Sequence, residues 1–120
     1  MKISEVSKEK KVSIDSLRYY ERIGLIPPVK RLPGGIRNYS EKDLKWLDFM
    51  MEVRSAGVSI EPLIDYVRLC GEGLHTIPAR RDLWDDECDL LEEKIHALQA
   101  TLAQLKGKAD HYEALLKGEN

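Results

Sequence analysis

The 120-residue sequence predicts a mainly α chain: a winged helix-turn-helix domain followed by one long coiled-coil dimerisation helix. Three observations carry that expectation. Two short helical stretches meet at Lys11-Val12, and the second presents Arg18, Tyr19 and Arg22 along one face. A Pro33-Gly34-Gly35 turn between two short extended runs follows directly. From Thr76 onward, apolar residues alternate steps of four and three almost to the end of the chain.

Composition narrows what such a chain does. The length suits one small domain with an appended element. Formal net charge is −2, which by itself argues against a polyanionic partner, yet the two halves differ. Residues 1–60 carry 12 Lys and Arg against 8 Asp and Glu, net +4, whereas residues 61–120 carry 7 against 13, net −6. A basic half joined to an acidic one suits contact with DNA at one end only. With no long apolar run and no signal-like start, the chain is expected neither to span a membrane nor to be exported. A cytoplasmic address follows. Cys70 and Cys88 stand eighteen positions apart with no C-x-x-C pair, so neither a disulfide framework nor a metal site is expected, and no cofactor.

Taken in order, Ser4 is placed to cap a first helix through about Lys11, with Ile3 and Val6 inward and Lys8, Lys10 and Lys11 outward. Ser13 is a good N-cap for the second helix and Asp15 suits its first turn. Gly24 fits the left-handed residue that ends it before Pro27 and Pro28. The helix-turn-helix thus covers about residues 4–23. On the second helix Ile14 and Leu17 share one face, while Asp15, Arg18, Tyr19 and Arg22 fall at i, i+3, i+4 and i+7 on another. Guanidinium groups pair with phosphates or guanine edges and a phenol bonds a phosphate, so a DNA groove is the simplest partner. The plain alternative is a solvated face with a core-edge aromatic.

Residues 27–39 read as a small β-hairpin. Lys30, Arg31 and Arg37 at its tip, beside the cationic helix, make it a wing able to reach phosphates rather than an ordinary surface turn. Ser40, Glu41 and Asp43 open a third helix with Leu44, Trp46, Leu47, Phe49, Met50 and Met51 as its apolar surface, ended by Gly57. Ser59 caps a fourth, with Pro62 in its first turn. Leu63, Ile64, Tyr66 and Val67 face the third helix, and Gly71 and Gly73 stop the fourth. This helix pair covers about 41–70 and completes a DNA-binding domain over 1–75.

Residues 76–117 form the dimerisation helix and 118–120 a tail. Its seam is Trp84, Cys88, Leu91, Ile95, Leu98, Leu102, Leu105, Ala109, Tyr112 and Leu116. At 1.5 Å per residue it runs about 48 Å, too far for so small a domain to cover, so a second copy is the expected cover. Leu83, Leu90 and Ala97 form a second, shorter stripe, expected to meet the helical part of the DNA-binding domain. Gly107 lies off the seam and costs the helix up to about 1 kcal/mol relative to alanine.

Leu17-Arg18-Tyr19-Tyr20-Glu21-Arg22-Ile23-Gly24-Leu25-Ile26, then Arg37-Asn38-Tyr39-Ser40 and Asp43-Leu44, closely resembles the MerR family of bacterial transcription regulators. Arg54-Ser55-Ala56-Gly57-Val58-Ser59 looks like that family's second-wing connection. The resemblance implies an antiparallel pair of C-terminal helices and a pseudo-palindromic operator between promoter elements. It also implies activation by deforming the promoter spacer, with RNA polymerase at the same promoter. It makes Arg18 and Tyr19 groove and phosphate contacts, Arg37 and Tyr39 wing contacts, and Arg54 a second-wing contact. Ser13, Asp15, Ser16, Arg22, Lys30 and Arg31 complete the expected DNA-facing set.

The sequence departs from the family in places. Lys11 stands where many members have a turn glycine, a strain of about 1 kcal/mol if that residue is left-handed. His75-Thr76 stands where metal sensors place a cysteine. The small thiol- and aldehyde-responsive members, which the chain otherwise resembles most, carry a cysteine in the third helix where this chain has Glu52. Cys88 is expected to act as a small apolar seam residue, and Cys70, with Arg68 nearby, as a core thiol. An architectural, excisionase-like DNA-bending protein is the alternative reading. Enzymatic activity is not expected: His75, His96 and His111 are scattered, and no nucleophile or phosphate loop has catalytic spacing.

Overall fold

Five α-helices make up most of residues 1–118, the part of the chain that the computed structural model describes. They are α1 (Ile3–Lys10), α2 (Ile14–Ile23), α3 (Glu41–Ser55), α4 (Ile60–Glu72) and α5 (Ile77–Leu116), with a single 3-10 turn at Leu74–Thr76. Of the expected tail, all beyond Gly118 lies outside the described residues. Met1–Leu83 forms one compact unit and the chain from Trp84 onward a second.

The opening helix starts earlier than Ser4. Lys2 holds the N-cap position, and its backbone N–H donates to Glu5 Oε1 at 3.1 Å, so the glutamate one turn in organises the start and Ser4 lies inside α1. Lys11 closes α1 at φ 56°, ψ 44°, the one non-glycine residue with positive φ among the described residues. Ser7 Oγ donates to the Val12 carbonyl at 2.6 Å and the Val12 N–H to the Ser7 carbonyl at 3.2 Å, which ties the turn into α2. At the start of α2, Ser13 Oγ accepts from the Ser16 N–H at 3.0 Å. At its end Gly24, φ 83°, lets the Leu25 N–H reach back to the Tyr20 carbonyl at 2.9 Å.

The expected hairpin is reduced to one antiparallel bridge, Arg31 with Arg37, and no strand forms among the described residues. Its hydrogen bonds run from Leu32 N–H to Ile36 O (2.7 Å) and from Asn38 N–H to Lys30 O (2.8 Å). Gly34 and Gly35, φ 90° and 80°, make the turn. The ladder stops there because the next backbone donors are spent elsewhere, the Val29 N–H on Glu21 Oε2 at 2.8 Å and the Tyr39 N–H on the Met1 carbonyl at 2.7 Å.

Ser40 and Asp43 cap α3 reciprocally, at 3.1 and 2.9 Å. Ser59 occupies the N-cap of α4 in extended conformation without a side-chain bond. Gly71 does not stop α4 but lies inside it; Gly73 is the terminator. There Thr76, buried, sets its hydroxyl 2.7 Å from the Leu69 and Gly73 carbonyls and accepts from Arg80 Nε at 2.9 Å. That cluster satisfies carbonyls that the end of α4 leaves open.

The core of the first unit takes Val6 from α1, Leu17 from α2, Ile26, Val29 and Tyr39 from the loop, and Leu47 from α3. Full burial of one such aliphatic side chain stabilises by about 1.5–3 kcal/mol, so α2 is held by its inner face and its outer face is left for other work. Trp46 and Tyr66, ring centroids 5.6 Å apart, join α3 to α4, while Phe49 is exposed.

Helix α5 continues for 40 residues, through Gly107, about 60 Å. Its seam is open in the single chain: Leu98 is 69% and Leu116 85% exposed, and Ile95, Leu102, Leu105 and Tyr112 are exposed as well. Leu90 and Ala97 of the second stripe are also exposed. Among the described residues, no helix is long and apolar enough to cross a membrane.

Candidate nucleic-acid interface

Because Leu17 anchors α2 in the core, Arg18, Tyr19 and Arg22 are turned outward together. Arg18 lies 3.9 Å from Asp15, both exposed, a pair worth little in water and easily exchanged for another anion. Arg22 stacks its guanidinium over the Tyr19 ring at 5.3 Å, a cation–π contact that holds both groups on one strip. Ser13 and Ser16 spend hydroxyl bonds on each other, at 2.8 Å. The structure thus leaves Asp15, Arg18, Tyr19 and Arg22 exposed on one face of α2, with Ser13 and Ser16 engaged in the cap at its start.

Arg54, at the end of α3, donates to the Val58 carbonyl at 2.8 Å and so braces the α3–α4 connection. A cavity of about 360 Å³ between α2 and α3, lined by Tyr19, Tyr20, Met50, Met51, Arg54 and Ile60 among others, places Arg54 beside the Tyr19 end of that strip.

The wing side chains depart from expectation. Glu21, only 11% exposed, accepts from Arg37 Nε at 2.7 Å and from the Val29 N–H at 2.8 Å, and pairs with Arg31 at 3.4 Å. Burial pushes the Glu21 carboxyl upward, but the Arg37 hydrogen bond, the Val29 N–H and the charges of Arg31 and Arg37 outweigh it and hold the group below the usual carboxylate value. Arg37 is therefore engaged inside the domain rather than free at a wing tip. Tyr39, expected as a wing contact, is 2% exposed within the core, and its hydroxyl has no hydrogen-bond partner among the described residues. Burial raises its phenol above the ordinary value. Lys30 remains exposed, with no ion pair among the described residues.

Sequence reasoning passed over Glu21. The signal was there: an acid between Tyr20 and Arg22, ahead of two arginines that pair across a turn.

Cys70 is half-buried at a cleft of about 730 Å³ that Lys42, Trp46 and Arg68 also line. Arg68 is directed to Glu72 (3.1 Å) and Asp65 (3.7 Å), so the thiol does not have it as its own cation. Cys88 is exposed in the single chain. Among the described residues, no group of three or more His, Cys, Asp or Glu is placed to hold a metal.

A core-anchored helix with an outward cationic and aromatic strip, set in a helix-turn-helix ahead of one long helix, defines a DNA-binding regulator of transcription. The particular family follows from comparison: the chain belongs to the MerR family, whose pattern, described as MerR HTH family regulatory protein, matches residues 1–69. The HTH-type transcriptional regulator AdhR of Bacillus subtilis (strain 168) is 50% identical over 93 residues, which cover 78% of this chain and 66% of that protein, just under two thirds of its length. A solved MerR family transcriptional regulator from Listeria monocytogenes superposes with TM-score 0.93 at 43% identity, covering 98% of this chain and 89% of the other. HiNmlR, a MerR family regulator lacking the sensor domain and solved bound to promoter DNA, gives TM-score 0.84 at 26% identity, covering 98% and 94%.

Proposed function

We propose that this chain is a homodimeric, sequence-specific regulator that binds a pseudo-palindromic promoter spacer and activates transcription by distorting it, with RNA polymerase at the same promoter. The observation that carries the reading is the exposed Arg18–Tyr19–Arg22 strip on a helix whose opposite face is locked into the core. Arg31, Lys30 and Arg54 flank that strip as phosphate contacts, with Ser13, Asp15 and Ser16 at the N-terminus of α2. The likeness to HiNmlR, a promoter-bound relative in structure, supports the same mode of use.

The unburied seam supports the dimer. Its row of apolar side chains on α5 is too long to leave in water, and an antiparallel second copy would place two α2 helices on one duplex. The protein's work is then binding rather than catalysis.

Arg18→Ala tests the reading in gel shifts on a promoter fragment and a scrambled duplex. A base-reading Arg18 loses about 1–3 kcal/mol on the promoter and relaxes specificity, whereas a phosphate contact weakens both duplexes alike. Unchanged affinity for both removes Arg18 from the interface.

A further inference from the structure

Resting on the DNA-binding reading, we propose that Glu21 is a positioning residue that meters how many positive charges the wing delivers to DNA. Arg37 is its permanent partner and Arg31 an exchangeable one that is handed to a phosphate when DNA binds.

The geometry supplies the argument. Arg31 and Arg37 are the two residues of the antiparallel bridge, so like charges face each other across it, an arrangement that opposes pairing unless something neutralises it. Glu21 reaches that bridge from α2 and touches both guanidinium groups with one oxygen, Oε1, while Oε2 takes the Val29 N–H at the base of the loop. The two arginines are not equivalent. Arg37 donates through Nε at 2.7 Å and its side chain is 21% exposed, whereas Arg31 sits at 3.4 Å with 41% exposed. The short, sheltered bond is the one to keep, and the long, open one is the one that a phosphate can replace. The trio carries net charge +1, so one cation is released to DNA and the loop stays tied to α2 throughout. The resemblance to the MerR family implied Arg37 as a direct wing contact; here it holds the wing in place instead.

Charge counting makes this measurable, because the slope of log affinity against log salt changes by about 0.9 for each phosphate neutralised on duplex DNA. With the homodimer and a promoter fragment, Glu21→Gln should steepen the slope by about 1.8, about 0.9 for each of the two wings, since both arginines are then free. Arg37→Ala should flatten it by about 1.8, because the unpaired Glu21 now retains Arg31 on both wings. The double variant E21Q/R37A should return to the wild-type slope. In ¹⁵N spectra of the wild-type complex, the Arg37 Nε–H should stay hydrogen-bonded and slow to exchange.

A Glu21→Gln slope equal to wild type overturns the proposal. So does a double variant that stays as flat as Arg37→Ala, or an Arg37 Nε–H that loses protection on DNA. Should Glu21→Gln fail to fold, Arg37→Ala and the spectrum of the wild-type complex still decide. Wild-type protein that binds no promoter DNA at any salt overturns the DNA-binding reading itself. Binding with a slope indifferent to Glu21 overturns this inference alone.

Discussion

Replacing Lys11 by glycine should make the protein more stable, although it removes a side chain and loosens the unfolded chain. Lys11 sits at φ 56°, ψ 44°, where a Cβ crowds its own backbone at a cost of about 1–2 kcal/mol. The side chain is exposed and makes no ion pair among the described residues, so little is lost with it. Glycine removes the strain but gives the unfolded chain extra freedom worth about 0.4–1 kcal/mol. The expected net gain is about 0.5–1 kcal/mol, or a Tm rise of about 2–8 °C for a unit the size of Met1–Leu83. Thermal unfolding by far-UV circular dichroism at one fixed protein concentration measures it. Lys11→Ala is the control, since it removes the charge but keeps the Cβ and should bring no gain, while Lys11→Val should lose at least about 1 kcal/mol. A Lys11→Gly variant no more stable than Lys11→Ala would refute the strain argument.

Three other perturbations follow from the same geometry. Leu98→Lys places a charge in the middle of the proposed seam and should convert the dimer to monomer in sedimentation; an intact dimer would remove the coiled-coil reading. Tyr39→Phe deletes a buried hydroxyl that has no partner among the described residues, so it should stabilise the fold by about 1 kcal/mol and leave DNA affinity unchanged, whereas a tenfold loss of binding would restore Tyr39 as a contact. Acid should loosen the wing through Glu21. Its folded pKa is lowered, so its stabilisation is complete above the unfolded carboxylate value and is lost as pH falls through the folded one. Between about pH 6 and pH 3 the wild type should therefore lose more stability than Glu21→Gln, and equal losses would contradict the pairing.

Local chemistry made much of the fold legible. Ser13 and Ser40 cap helices because a serine before an apolar period can do little better, and Gly24 ends α2 because its backbone must turn left-handed. The outward strip on α2 followed from helical spacing alone. Residues whose role depends on a distant partner were harder to read. Arg37 and Tyr39 stand at the exit of the loop like contacts, yet Glu21, sixteen residues before Arg37, and the core between α1 and α3 claim them. Gly71 looked like a stop but is helical, because α4 is held to Gly73 and beyond by the Thr76 and Arg80 bonds that no local pattern announces.

Footprinting the purified protein on the DNA upstream of its own gene tests the central claim most directly. A homodimeric promoter-distorting regulator protects one dyad-symmetric site between the promoter elements, with hypersensitive cleavage near its centre, and Arg18→Ala abolishes the protection at the same protein concentration. Protection scattered without symmetry or away from any promoter, or none at a concentration where the protein is dimeric, would contradict the account.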